Sequence, residues 1–130
     1  MTTVVAPRYG NDQKSGVMVN KLLYPFWELM LLNNVGGKVK SVDYTDKTVQ
    51  VYGTLSTGGS ITLRGSNKEN PDETVAADWF NLNDPTQTAL TFTALGGKQV
   101  LENPMWLSPI CSAGDGSTSL NMAVTAIKRT

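Results

Sequence analysis

Side-chain catalysis needs a proton-transfer group or a nucleophile set against an activating partner. This chain has no histidine and one cysteine, Cys111, so serine and cysteine lack their usual base. Two acidic pairs remain, Asp43 with Asp46 and Asp72 with Glu73. Both fall in stretches that read as turns, beside Lys47 and Lys68, where solvated loop charges are the simpler reading. Gly114-Asp115-Gly116 places an oxygen between two glycines and invites calcium or phosphate. Calcium takes about six to eight oxygen ligands and the acidic spacing of an EF-hand loop is absent, so a hairpin turn explains the same residues. Zinc has neither histidines nor paired cysteines to hold it. We therefore assign no catalytic, metal or cofactor-binding residue, and expect a protein that is not an enzyme.

The aromatic residues are the other chemistry on offer. Trp27, Trp79 and Trp106, with Tyr9, Tyr24, Tyr44 and Tyr52, could stack sugars in the manner of a carbohydrate-binding module; Trp79 and Trp106 read more simply as anchors between two sheets. Arg64, Lys128 and Arg129 are too scattered for a nucleic-acid footprint. Eleven Lys and Arg against 11 Asp and Glu leave no net charge to steer the chain to nucleic acid or an anionic membrane. The longest apolar run, Leu22 to Leu32, holds Pro25 and Glu28 and is half the roughly 20 residues that span a bilayer. No basic segment precedes an apolar stretch at the N-terminus, so no secretory signal is expected. Cys111 has no partner for an intrachain disulfide, and stability must come from packing or assembly.

The elements that would position these residues are strands. Val49-Val51-Gly53-Leu55, Ile61-Leu63, Leu90-Phe92 and Leu120-Met122-Val124-Ala126 alternate with Gln50, Tyr52, Thr62, Arg64, Thr91, Asn121 and Thr125, which puts one set on a packed face and the other in water. Clusters of Gly, Asn, Asp and Pro separate the runs. Ser56-Thr57-Gly58-Gly59 reads as a hairpin turn into Ser60–Ser66, and Ala113-Gly114-Asp115-Gly116 as the turn into the last strand. Asn67 to Thr74 reads as an exposed loop, Val75–Leu82 as a strand, and Met105 to Ile110, bracketed by Pro104 and Pro109, as an edge strand or one beside a bulge. Ala94 to Glu102 is open between strand and helical turn, and Leu22 to Leu32 between strand and helix. With 130 residues, the expectation is all-β: a single antiparallel β-sandwich of about seven or eight strands over residues 21–130, preceded by an extended N-terminal arm over residues 1–20. Met1 to Gly16 read as an extended arm or a disordered tail, and with few apolar side chains an ordered arm usually gains its order by lying on a neighbour.

Residues 47–67, then Trp79-Phe80-Asn81-Leu82, Asp84-Pro85, Ala89-Leu90-Thr91-Phe92-Thr93, Val100-Leu101-Glu102-Asn103-Pro104 and Gly114-Asp115-Gly116-Ser117-Thr118, resemble a recurrent pattern in small structural proteins of tailed-phage virions. In those proteins a strand ending in Gly-Ser-Asn leads to a Trp-containing strand, an Asp-Pro turn and a final hairpin on Gly-Asp-Gly. The segment Lys68–Val75 and the first 35 residues depart from it. The resemblance implies a β-sandwich on the virion, a capsid decoration or cement protein on the phage head surface whose partner is the major capsid protein. Closed symmetry makes a homo-oligomer, trimer or dimer, the expected form. Val4, Val5, Arg8, Tyr9, Leu22, Leu23, Tyr24, Phe26 and Trp27 are the expected protein-interface residues, as the parts the sandwich pattern does not need. The alternatives are a tail, neck or fibre component, and the carbohydrate-binding module.

Overall fold

The computed structural model describes residues 3–9 and 22–128, with Leu29 described by its backbone alone. The strands are β1 (Val4–Val5), β2 (Arg8–Tyr9), β3 (Leu22–Leu23), β4 (Pro25–Met30), β5 (Val35–Gly36), β6 (Val39–Lys40) and β7 (Tyr44–Thr54), then β8 (Ser60–Ser66), β9 (Phe80–Asn81), β10 (Thr91–Phe92), β11 (Gly96–Gln99), β12 (Trp106–Ala113) and β13 (Ser119–Lys128). They form two sheets. Sheet A contains β1, β5, β6, β8, β9, β10 and β12; sheet B contains β2, β3, β4, β7, β11 and β13. Pairing is antiparallel except between β1 and β5. The expected all-β sandwich is therefore present. It is divided into more strands than expected, because two-residue ladders flank bends and bulges.

The core follows from the alternation. Val49 and Val51 of β7, Ile61 and Leu63 of β8, Leu107 of β12, and Leu120, Met122 and Val124 of β13 are all buried between the sheets with Trp27 and Met30 of β4. Each large side chain so buried contributes about 1.5–3 kcal/mol. The Leu22 to Leu32 run thus resolves into strands β3 and β4, and its largest member is core. Trp27 is 0% exposed and donates its indole N–H to the Gly37 carbonyl at 2.9 Å.

Several local expectations are corrected. Ser56–Gly59 does not join a hairpin: it carries the chain from β7 in sheet B to β8 in sheet A, and Gly114–Ser117 makes the return crossing from β12 to β13. The two crossings are tied together, since Ser56 Oγ hydrogen-bonds Thr118 Oγ1 and receives the Asp115 N–H at 3.1 Å. Gly114 sits there at φ +134, where a side chain would run into Ser56 and Thr118. The expected strand Val75–Leu82 is a 3-10 turn, Ala76–Asp78, followed by the two residues of β9.

β12 is not an edge strand, but it does run into a bulge, between Cys111 and Ala113, as the second of the two expectations had it. It lies between β8 on one side and β5 and β6 on the other. Pro109 is tolerated because its missing N–H faces the break between β5 and β6: a Cβ on Gly36 would collide with the Pro109 ring, and the Gly36 carbonyl receives Ser108 Oγ at 2.6 Å instead. Lys47, expected among solvated charges, is 0% exposed, and its ammonium reaches the Tyr44 carbonyl at 3.0 Å and Asn103 Oδ1 at 2.6 Å. A buried ammonium needs such acceptors.

The described part of the arm pairs with its own domain. Val4 and Val5 pair with Val35 and Gly36 in sheet A, while Arg8 and Tyr9 pair with Phe26 and Pro25 in sheet B. Backbone hydrogen bonds, such as Val35 N–H to Thr3 O at 2.9 Å and Gly37 N–H to Val5 O at 2.7 Å, supply what apolar side chains do not. The expected boundary between residues 20 and 21 lies outside the described residues.

Candidate interaction surface

The outer faces of the two sheets differ, and the difference defines the candidate site. On sheet B, strand alternation turns Gln50 and Tyr52 of β7 outward, with Asn121 directly across from Tyr52 and Ala123 across from both Gln50 and Phe26. Ala123 is small, so the larger side chains on either side of it rise above the surface. Tyr24 and Phe26 stand 5.9 Å apart, centroid to centroid. The Arg8 guanidinium sits 5.7 Å over the Phe26 ring and 2.6 Å from Glu28 Oε1. Burial, with smaller contributions from Tyr24 and Glu28, holds the Tyr52 phenol above its ordinary value, so it stays a neutral donor and acceptor. Tyr24, Tyr52 and Tyr9 are exposed at 37%, 40% and 55%. Rings with a polar edge and an apolar face suit protein recognition, because they present large area with few rotors.

On sheet A the equivalent face is covered. Residues 67–79 fold back across it and are pinned by cations and indoles. Arg64 projects from β8 under this segment, 4.9 Å from the Trp79 ring, and donates to the Glu73 carbonyl at 3.2 Å. Lys38 gives its backbone N–H to Glu73 Oε2 at 2.9 Å and its ammonium to the Pro71 carbonyl at 3.0 Å, lying 5.6 Å from the Trp106 ring. Trp79 donates to Asp72 O and Trp106 to Lys68 O. Lys68 meets Asp78 at 2.7 Å. Arg64, expected on a wet face, is therefore buried; Thr62, expected there too, is buried beside β10, its hydroxyl 2.8 Å from that of Thr91. Burial brings the Arg64 guanidinium down to about 10, against a smaller opposing pull from Glu73, which leaves it a cation at neutral pH.

The remaining candidates fall into place on this geometry. Trp79 and Trp106 pin a segment to the outside of sheet A and do not anchor sheet to sheet; the indole between the sheets is Trp27. All three indole N–H groups are engaged by backbone carbonyls. Asp72, Asp84 and Asp115 each close a turn by accepting a hydroxyl and a backbone N–H from the residue two ahead. These bonds hold their carboxyls below the usual carboxylate value. Cys111 is buried, which pushes its thiol up and makes it a poor nucleophile. Among the described residues no group of three or more His, Cys, Asp or Glu is placed to hold a metal ion.

Of the expected interface residues, Arg8, Tyr24 and Phe26 come together on sheet B, with exposed Tyr9 following Arg8 in β2. Leu22 and Leu23 are half-buried in β3, and Leu23 packs on the core. Val4 is exposed and Val5 packs on the core, both in sheet A. Trp27 is wholly inside and unavailable to a partner. Tyr52 shares this open face without being among the expected interface residues, although its alternation with Val49 and Val51 already turned it outward in the sequence. Asn121 carried the same alternation signal, between Leu120 and Met122, and the structure added its register opposite Tyr52.

No family model matches the chain, and no curated protein matches it in sequence. Among solved structures, the crystal structure of the SPBc2 prophage-derived protein YomS superposes with a TM-score of 0.57 at 10% sequence identity, covering 82% of this chain and 95% of that one. The two share a fold. The likeness spans nearly all of YomS, so the sandwich as a whole is common to both.

Proposed function

We propose that this protein is a non-enzymatic structural component of a phage virion, a capsid decoration protein that binds the major capsid protein on the outside of the head as a dimer or trimer. The observation that carries the reading is the shared sandwich with a prophage-derived protein over 95% of that protein's length, which agrees with the virion-protein pattern in the sequence. The open tyrosine-rich face of sheet B supports an adhesive role. The engagement of Asp72, Asp84 and Asp115 in turns and the burial of Cys111 support a protein without reacting groups. The mechanism is mass action: a partner that binds only the assembled shell stabilises that shell by its binding free energy.

The test is to isolate particles from the phage or prophage that encodes the chain and to measure its copy number against the major capsid protein, with a cryo-electron map of the head. Copies in fixed proportion to the capsid lattice, seated on its outer surface through sheet B, are expected. Absence from particles sinks the reading, and a few copies confined to the neck or tail replace it with a tail component.

A further inference from the structure

Between the pinned segment and the face of sheet A lies a cleft of ≈ 270 Å³ whose lining includes Arg64, Glu73, Ala76, Asn33, Val35 and Ile110. Arg64 is only 5% exposed. Its Nε donates to Ser108 O at 3.3 Å, and its Nη2 to Ser108 Oγ at 2.8 Å and to the Glu73 backbone carbonyl at 3.2 Å. All three bonds go to uncharged acceptors. Nη1 makes no hydrogen bond, yet no fully buried side-chain nitrogen or oxygen among the described residues lacks a partner. Nη1 therefore keeps some exposure, and Arg64 is part of the lining of this cleft.

The Glu73 carboxylate makes no hydrogen bond to Arg64: Oε2 accepts the Lys38 N–H and Oε1 lies 3.9 Å from the Lys38 ammonium. Arg64 and Glu73 are the charged residues of the lining, and the Glu73 carboxylate is engaged by Lys38 from outside it. A desolvated guanidinium with a free planar N–H edge binds carboxylates well. We propose that this cleft takes one carboxylate carried on a polypeptide, either an acidic side chain or a chain's C-terminus, bound by Nη1 of Arg64. A single guanidinium with the Glu73 carboxylate alongside favours a monoanion over a phosphate dianion. Val35, Ala76 and Ile110 offer apolar surface to the methylenes that carry the carboxylate. The Asn33 side chain, which makes no hydrogen bond of its own, adds a second donor. The inference is independent of the virion reading, because it concerns a site on the other sheet and names no source for the partner.

The experiment is NMR on the full 15N-labelled chain, following the Arg64 Nε–H resonance assigned by through-bond correlation. The probes are an amidated peptide with one internal Glu, a peptide with a free C-terminus and no acidic side chain, an amidated neutral peptide, and inorganic phosphate. Saturable shifts with either of the first two are expected, and which one is tighter identifies the source. The neutral peptide should be silent and phosphate at least about tenfold weaker. Ala76→Trp, which fills the mouth and leaves Arg64 in place, should weaken peptide binding at least about tenfold; Arg64→Met should abolish it. The proposal is overturned if both carboxylate peptides are silent, if the neutral peptide or phosphate binds as tightly, or if Ala76→Trp binds normally.

Discussion

The two outer faces of this sandwich are built from the same alternating strands and come to opposite ends. On sheet A, a thirteen-residue segment covers the face, residues 67–79, and polar groups that alternation sends outward are buried: Arg64, Thr62, Ser66 and Ser108. On sheet B nothing among the described residues lies over Tyr24, Tyr52 and Gln50, and they remain exposed. Strand pattern decides which side chains leave the core. It does not decide whether they reach water, because that depends on where a distant segment comes to rest.

The comparison can be broken most directly at Trp79. If the covering segment is part of the folded unit, Trp79→Ala, which removes a buried indole and the stacking surface under Arg64, should lower stability by about 3–5 kcal/mol. Urea unfolding measures it, with amide exchange across residues 68–78 rising in the variant. A loss within about 0.5 kcal/mol, the range of surface substitutions, would mean that the segment merely rests on the sheet.

The open face should respond in the reverse sense. Tyr52→Ala and Tyr24→Ala are expected to change unfolding free energy by less than about 1 kcal/mol, the scale of an exposed cross-strand pair. On the proposed capsid reading each should weaken attachment by about 2 kcal/mol, roughly 30-fold. Sedimentation of the variants with decorated and undecorated heads measures attachment. Stable variants that still bind as tightly would remove sheet B from the interface.

A smaller effect is expected at Arg8, whose contact with Glu28 is exposed at both ends. Arg8→Ala should cost about 0.2–1 kcal/mol at low salt and nothing measurable at high salt, read from paired denaturation curves. Anything larger would show that β2 depends on this ion pair and not on its backbone ladder.

Acid should act on the turns more than on either face. Asp72, Asp84 and Asp115 have folded values below their unfolded ones, chiefly through bonds from Thr74, Thr86 and Ser117. Their contribution is fully present above the unfolded value of about 3.9 and is lost as pH falls through the lower folded values. The urea midpoint should therefore decline below about pH 4, and Asp84→Asn should flatten that decline. An unchanged slope would mean that the Asp84 turn contributes nothing to folding.

By itself the sequence determined the class of structure and its inner face. Val49, Val51, Ile61, Leu63, Leu120, Met122 and Val124 had to share a core because a period of two leaves a pleated strand no other way to bury them. It also determined the turns, since Asp-Pro-Thr and Gly-Asp-Gly-Ser carry their own hydrogen-bonding chemistry. Tertiary structure decided the rest. Whether Ser56–Gly59 folds back within a sheet or crosses to the other depends on which strand β8 finds beside it, and that strand is β12, some fifty residues later. The same long-range choice set Pro109 against the break between β5 and β6, placed the arm on its own two sheets, and buried Arg64 while leaving Tyr52 in water. Local periodicity carries no information about partners so far along the chain, and these features follow only once all the strands have docked.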